Sequence, residues 1–275
     1  MHNFNIGGLI MANKDLEIKD KVKKNYTEVV TRNQSGCGCS SSCCSGSDSK
    51  EDKAKELAAK MDYSNEELES AFAEANYGLG CGNPGAIANL KAGETVLDLG
   101  CGAGFDVFLA ARQVGENGKV IGVDMTEAMI EKARANAVKN GINNVEFILG
   151  EIEELPLADN SIDVIISNCV INLSPAKAKV FAEAKRVLKN GGRLAISDIL
   201  KAKDFPAAIK DNLDNFSSCI TGSIEKDQLL SILEELEFKN IEVERKNNSA
   251  EIVEDWISGI DINNYIYSAY IRAKK

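Results

Sequence analysis

The chain of 275 residues carries a single histidine, His2, a single tryptophan and only four prolines. One histidine at the extreme start leaves no place for a histidine general base or a histidine-rich metal site in the body of the protein. Long apolar runs are missing too: none approaches the roughly 20 residues that span a bilayer. Met1 to Ile10 lacks a basic flank, a long apolar stretch and a small-residue cleavage site, so no signal peptide is expected. Positive charge is also scarce, with 32 Lys and Arg against 42 Asp and Glu and a net charge of -10. Such a surface neither neutralises a phosphate backbone nor sits on anionic lipid, which sets nucleic acid and membrane aside as partners. Paired Cys-x-x-Cys knuckles do not occur, which argues against a zinc-finger or iron-sulfur module.

What is present is cysteine, eight in all, in a chain that is 44% apolar. Without export signals this usage points to a reducing, cytoplasmic setting, where thiols serve as ligands or redox groups more than as disulfides. The length suits one main core with an appendage. Residues 1–60 read as an N-terminal arm: a polar helix over 11–32 with the apolar stripe Leu16, Val22, Tyr26, Val29 and Val30, and then a flexible Cys/Ser/Gly segment. That segment holds Cys37, Cys39, Cys43 and Cys44, and a charged helix with a solvated face follows over 50–60. Residues 61–275 read as the main domain. Ser64 to Glu67 forms a capping box that opens a helix running to the turn-rich stretch Tyr77 to Gly85.

From residue 95 short apolar runs alternate with amphipathic helices, the pattern of an α/β domain with a mostly parallel sheet. Strands are predicted over 95–99, 119–124, 145–149, 162–168 and 193–199, and one intervening helix is opened by Ser174 as N-cap with Pro175 behind it. An insertion over 200–222 precedes a helix near 225–236. The runs 240–245 and 265–272 read as a closing antiparallel pair, with Trp256, Ile252, Val253 and Ile257 packing just before it.

The first strand runs into Gly100-Cys101-Gly102-Ala103-Gly104, where glycines let backbone approach a ligand at the strand's carboxyl end. The spacing is G-x-G-x-G after Asp98, not the G-x-G-x-x-G of dinucleotide sites. Asp98 would repel a pyrophosphate but suits an ammonium or sulfonium. Asp124, ending the second strand ahead of Met125, is placed to accept both hydroxyls of a ribose. Asp106 caps the next helix or approaches the cofactor, and the sequence does not choose between them. Residues 95–199 resemble the class I methyltransferases. That resemblance implies a Rossmann-like seven-stranded sheet with a reversed final hairpin and S-adenosylmethionine as methyl donor. It also implies that Gly150, Glu151 and Ile152 border the adenine and that Asn168 lies near the methionine portion, with Tyr77 and Cys101 among the cofactor contacts.

The loop after the fourth strand, which faces the transferable methyl in this architecture, holds Cys169 and lacks the Asn/Asp-Pro-Pro-aromatic motif of amine methyltransferases. Cys81 lies in a glycine-flanked loop before the sheet, and Cys219 lies in the insertion. With Tyr77-Gly78-Leu79-Gly80-Cys81-Gly82 and Ser167 to Leu173, these positions resemble the arsenite methyltransferase family over residues 60–222. The resemblance implies that Cys81, Cys169 and Cys219 bind trivalent arsenic, joined by an N-terminal cysteine, Cys44 or its neighbour Cys43. It further implies arsenite or its thiol conjugates as acceptor and a thioredoxin- or glutathione-type reductant in turnover. A soft acceptor prefers thiolate to imidazole, and its lone pair needs no general base. Two other readings stay open: a methyltransferase acting on a quinone or other small organic acceptor, and a thiol-based metalloid sensor or chaperone without turnover.

Overall fold

The computed structural model describes residues 6–34, 50–69, 72–210, 219–254, 256–257 and 260–275. Cys37, Cys39, Cys43 and Cys44 lie outside the described residues, as does 211–218 of the insertion. Seven strands form one sheet: β1 (Thr95–Leu99), β2 (Lys119–Asp124), β3 (Val145–Leu149), β4 (Ile162–Asn168), β5 (Leu188–Lys201), β6 (Lys239–Arg245) and β7 (Ile266–Lys274). Their order is β3-β2-β1-β4-β5-β7-β6, with β7 antiparallel to both neighbours and the β1 to β5 pairings parallel. This is the expected class I methyltransferase sheet with its reversed closing hairpin.

The central strands are apolar on both faces because helices cover both. Val96, Val164 and Ile166 face a core with Phe108 and Met129, from α5 (Phe105–Val114) and α6 (Glu127–Lys139). Leu97, Leu99 and Ile165 face the opposite core, with Phe181 and Leu229 from α7 (Lys177–Val187) and the helix Lys226–Glu235. The period-two pattern of β1 therefore puts Asp98 on the side of Val96, at the strand's carboxyl end. Phe108 is fully buried, with ring centroids 5.3 Å from Phe72 and 5.8 Å from Phe147.

The N-terminal helix α1 (Ile6–Gln34) exceeds the predicted 11–32 at both ends. Its buried stripe is Ile18, Val22 and Val30 with Tyr26 packed alongside, whereas Leu16 is 61% exposed. Residues four apart share a face, and two positions before Ile18 a side chain points to the other side. Further along, α2 (Lys50–Lys60) buries Ala54 and Ala58. The capping box at Ser64 is formed, but its helix α3 is only Asn65–Leu68, followed by a 3-10 turn at Ala73–Ala75, so the continuous helix to residue 77 is not seen. A short helix α4 (Pro84–Ala88) occupies the stretch read as turn, with Asn83 as N-cap accepting from the Ala86 N–H.

Three further boundaries differ from expectation. Helix α7 starts at Lys177, because Ser174 Oγ takes the Ala176 N–H in a local turn and donates its own proton to Glu153. Strand β5 begins at Leu188, five residues early, since Leu188 already pairs with Ile162 across an irregularity in the β4–β5 register. The insertion after β5 opens with a single helical turn, α8 (Ala207–Lys210). The helices Lys226–Glu235 (α9) and Ser249–Val253 (α10) complete the chain, and Trp256 and Ile257 pack beside Ile252 and Val253.

Candidate functional site

At the carboxyl ends of β1, β2 and β4 lies a cavity of about 1120 Å³, including its open mouth. The glycine loop forms its floor. Gly100, Gly102 and Gly104 have φ of 70°, 52° and 96°, and a Cβ at Gly100 would collide with both methyls of Val170. Backbone is thus brought to the cavity surface where a side chain would close it.

Besides Glu153 near α1, three carboxylates line this cavity: Asp98, Asp106 and Asp124. Asp124 accepts from the Gly102 N–H at 3.0 Å and the Thr126 N–H at 2.8 Å, so the second strand's acid pins the glycine loop. Asp106 accepts from Tyr63 Oη at 2.6 Å and Asn168 Nδ2 at 3.2 Å, and therefore faces the cavity. Burial pushes all three carboxyls up, Asp106 to about 6, and Asp98 rises furthest above the ordinary range because Asp106 and Asp124 stand beside it. No cation balances Asp98, Asp106 and Asp124 among the described ion pairs, and a positively charged ligand would relieve their mutual repulsion.

The remaining expected cofactor residues divide. Tyr77, Gly100, Cys101, Gly102, Met125, Ile152 and Asn168 line the cavity; Gly104 does not, sitting behind it as N-cap of α5. Glu151 turns outward to α1, where Lys19 Nζ lies 2.6 Å from it and 3.1 Å from Glu153. Burial, followed by the acids at positions 124 and 98, raises the Cys101 thiol well above its usual range. No sequence motif marks α1 as part of this site, yet Lys19, Val22 and Tyr26 all line the cavity.

The acceptor end is built from cysteine. Cys81, Cys169 and Cys219 belong to one buried cluster with Ile199, Leu173 and Ile220, at 0%, 3% and 2% exposure. The Cys81 N–H donates to Asn168 Oδ1 at 2.9 Å, and its carbonyl accepts from Ser268 Oγ at 2.7 Å, which ties the loop to β4 and β7. Cys169 leaves β4 with φ of 58° and its N–H bonded to the Ser197 carbonyl. Cys219, with φ of 61°, donates from Sγ to the Cys169 carbonyl at 2.8 Å. Hydrogen bonds with Cys219 and Cys81, with burial added, hold the Cys169 thiol well above its ordinary range. For Cys219 the bond with Cys169 acts downward, but burial and Asp198 outweigh it.

Sequence reasoning missed several residues. Asp198, near the end of β5, has a carboxylate oxygen that lies, with the sulfurs of Cys81 and Cys169, within a mutual 4.8 Å. Burial raises it to about 6. Its place at a strand's carboxyl end was the available signal. Tyr26 lies among the same groups, its hydroxyl held well above the usual range by burial and by Cys219 and Cys169. Tyr63 and Lys19 carry no local motif that marks them.

A glycine loop after β1, an acid closing β2 and a reversed β7 together define a class I S-adenosylmethionine-dependent methyltransferase. The comparisons with known proteins agree: residues 90–237 match a methyltransferase-domain family model. An arsenite methyltransferase of Halobacterium salinarum is 44% identical over 97% of this chain and 69% of its own length. The human arsenite methyltransferase is 32% identical over 82% of this chain and 60% of its own. An arsenic(III) S-adenosylmethionine methyltransferase from Chlamydomonas reinhardtii superposes with a TM-score of 0.59 at 34% identity, over 81% of this chain and 73% of that one. The chain belongs to the arsenite methyltransferase family.

Proposed function

We propose that this protein transfers methyl groups from S-adenosylmethionine to trivalent arsenic held by Cys81, Cys169 and Cys219. The observation that carries the reading is the gathering of these thiols in one buried cluster, from which Cys169 reaches the wall of a cavity that Asp98, Asp106 and Asp124 also line without a balancing cation. S-adenosylmethionine supplies, when bound, an electrophilic methyl carbon on a sulfonium. Asp98 and Asp106 suit its positive charges, Asp124 its ribose, and the apolar walls of Ile152 and Met125 its adenine. Thiols held above their ordinary range are protonated at neutral pH, and this fits the substrate. Each thiol proton leaves with an arsenite hydroxide as water while an As–S bond replaces an As–O bond. The bound arsenic keeps a lone pair and no proton, so no general base is needed, in keeping with a chain whose one histidine is His2. Burial excludes water from the centre, and catalysis rests on positioning.

Residues 61–275 form the transferase unit in this reading, with 1–60 as the arm whose α1 covers the cavity. A cysteine of the arm, Cys44 or Cys43, joins the acceptor thiols, and a thioredoxin- or glutathione-type thiol reductant restores trivalent arsenic between rounds. The test is incubation with labelled S-adenosylmethionine, arsenite and a thiol reductant, with arsenic speciation as readout. Methylated arsenicals are expected, and Cys169→Ser or Cys219→Ser should abolish them. Full production of methylated arsenicals by both serine variants would overturn the role of these thiols, none from the intact folded chain would favour an organic acceptor such as a quinone, and arsenite binding without methylation would favour a sensor.

A further inference from the structure

We propose that Cys81, Cys169 and Asp198 form a site for a tetrahedral divalent cation of the zinc class, distinct in ligand set from the three-thiol acceptor site with which it shares two sulfurs. The three donor atoms already lie within 4.8 Å of one another, all buried. With bonds of about 2.3 Å to sulfur and 2.0 Å to oxygen, a tetrahedral ion needs donor separations of roughly 3.5 to 3.8 Å. Thiol rotation covers that difference without moving the backbone.

The supporting shell is that of a ligating carboxylate. One Asp198 oxygen accepts from Asn172 Nδ2 and from the Ile199 N–H, both at 2.8 Å, whereas the other is more lightly held, with the Asn172 N–H at 3.4 Å, and the Ile171 N–H also points at the carboxylate. The first oxygen fixes the group and the second is left for a ligand. Outer bonds of this kind orient metal-binding side chains. Behind Cys81 stands Ser197 Oγ, 3.9 Å from Sγ, and the loop itself is bonded at both its N–H and carbonyl.

Charge and softness select the ion. Two thiolates and a carboxylate carry three negative charges, of which a divalent cation cancels two as the thiol protons pass to solvent. Lys177, half-buried nearby with Nζ donating to the Ser174 carbonyl at 2.9 Å, offsets part of the remainder. Thiolate ligands at tetrahedral spacing favour zinc or cadmium over magnesium or calcium, which want oxygen shells. Trivalent arsenic uses three sulfurs and has no need of the carboxylate. In this structure the third sulfur, Cys219, is engaged with the Cys169 carbonyl, so the ligand set at hand is two sulfurs and one oxygen. Cation binding does not depend on the arsenic reading; only its consequence, that the ion blocks the acceptor thiols, rests on that reading.

The experiment uses the full chain with Cys37, Cys39, Cys43 and Cys44 changed to serine, kept reduced by a phosphine and freed of metal. Equilibrium dialysis against Zn²⁺ should give one tightly bound ion per chain, and Co²⁺ should show the absorption of tetrahedral thiolate-bound cobalt. Mass spectrometry should show Zn²⁺ protecting Cys81 and Cys169 from alkylation, with Asp198 intact. Asp198→Asn keeps an oxygen for the Ile199 and Asn172 donors and should weaken Zn²⁺ more than tenfold. No bound Zn²⁺, no protection of these two thiols, or an Asp198→Asn chain binding as tightly would each overturn the proposal. Methylation of arsenite by the metal-free chain with all eight cysteines intact, measured alongside, reports separately on the acceptor reading.

Discussion

Gly82→Ala tests whether the Cys81 loop is positioned by close packing. A Cβ on Gly82 would overlap Ser197 Oγ and stand 2.9 Å from Lys246 Nζ. Neither neighbour can withdraw cheaply. Ser197 is fully buried in β5, and Lys246, also buried, is tied 2.9 Å from Asp62 and lies over the Tyr270 ring at 4.8 Å. Overpacking of this kind costs about 1–3 kcal/mol. At roughly 2–4 °C per kcal/mol for a chain of this size, the melting temperature should fall by about 2 to 12 °C. The larger effect falls on the site, since the loop that must move carries Cys81. A displacement of about 1 Å at a reacting centre costs on the order of a hundredfold in rate. Calorimetry and arsenite methylation assays measure the two effects. The double variant Gly82→Ala/Ser197→Ala removes the overlapping oxygen and should recover most of both losses. A Gly82→Ala protein with unchanged melting temperature and full activity, or a double variant no better than the single, would refute the reasoning.

The ligand-free protein should become more stable as pH falls from 7 to about 5. Asp106 and Asp198 have carboxyls raised to about 6 by burial, so the folded state binds protons that the unfolded state, at about 3.9, has released. Each contributes a destabilisation of the order of 3 kcal/mol by pH 7 that disappears below the unfolded value. Carboxyls held below their usual range by cations, such as Glu94 by Arg193 and Asp163 by Lys189, act in the opposite sense and lose their contribution only at lower pH, leaving an optimum on the acid side of neutrality. Denaturant midpoints that rise steadily from pH 5 to 7 would contradict this assignment. Lys19→Met should speed exchange of S-adenosylmethionine severalfold, because Lys19 ties α1 to Glu151 and Glu153 beside the cavity; stopped-flow release kinetics would detect it, and unaltered rates would show that the ion pairs do not hold α1 there.

Much of this protein is legible in order along the chain. The strand starts of β1 to β4, the glycine loop, and the acids Asp98 and Asp124 follow from local pattern, because alternation and turn chemistry act between near neighbours in sequence. Class I methyltransferase topology follows from the order of those elements, and the thiol chemistry from where Cys81, Cys169 and Cys219 fall within it. What tertiary structure alone decided are the matters of distance. The early start of β5 came from pairing with β4. Asp198 becomes a neighbour of two thiols only because β4 and β5 run side by side and Cys81 is drawn over their ends by Asn168 and Ser268. Tyr26 and Lys19, more than 70 residues ahead of the glycine loop, reach the cavity because the four-residue repeat of α1 buries one stripe against it. A sequence fixes which groups a strand offers at its end; whether they meet depends on packing of segments far apart in the chain, which short-range pattern does not encode.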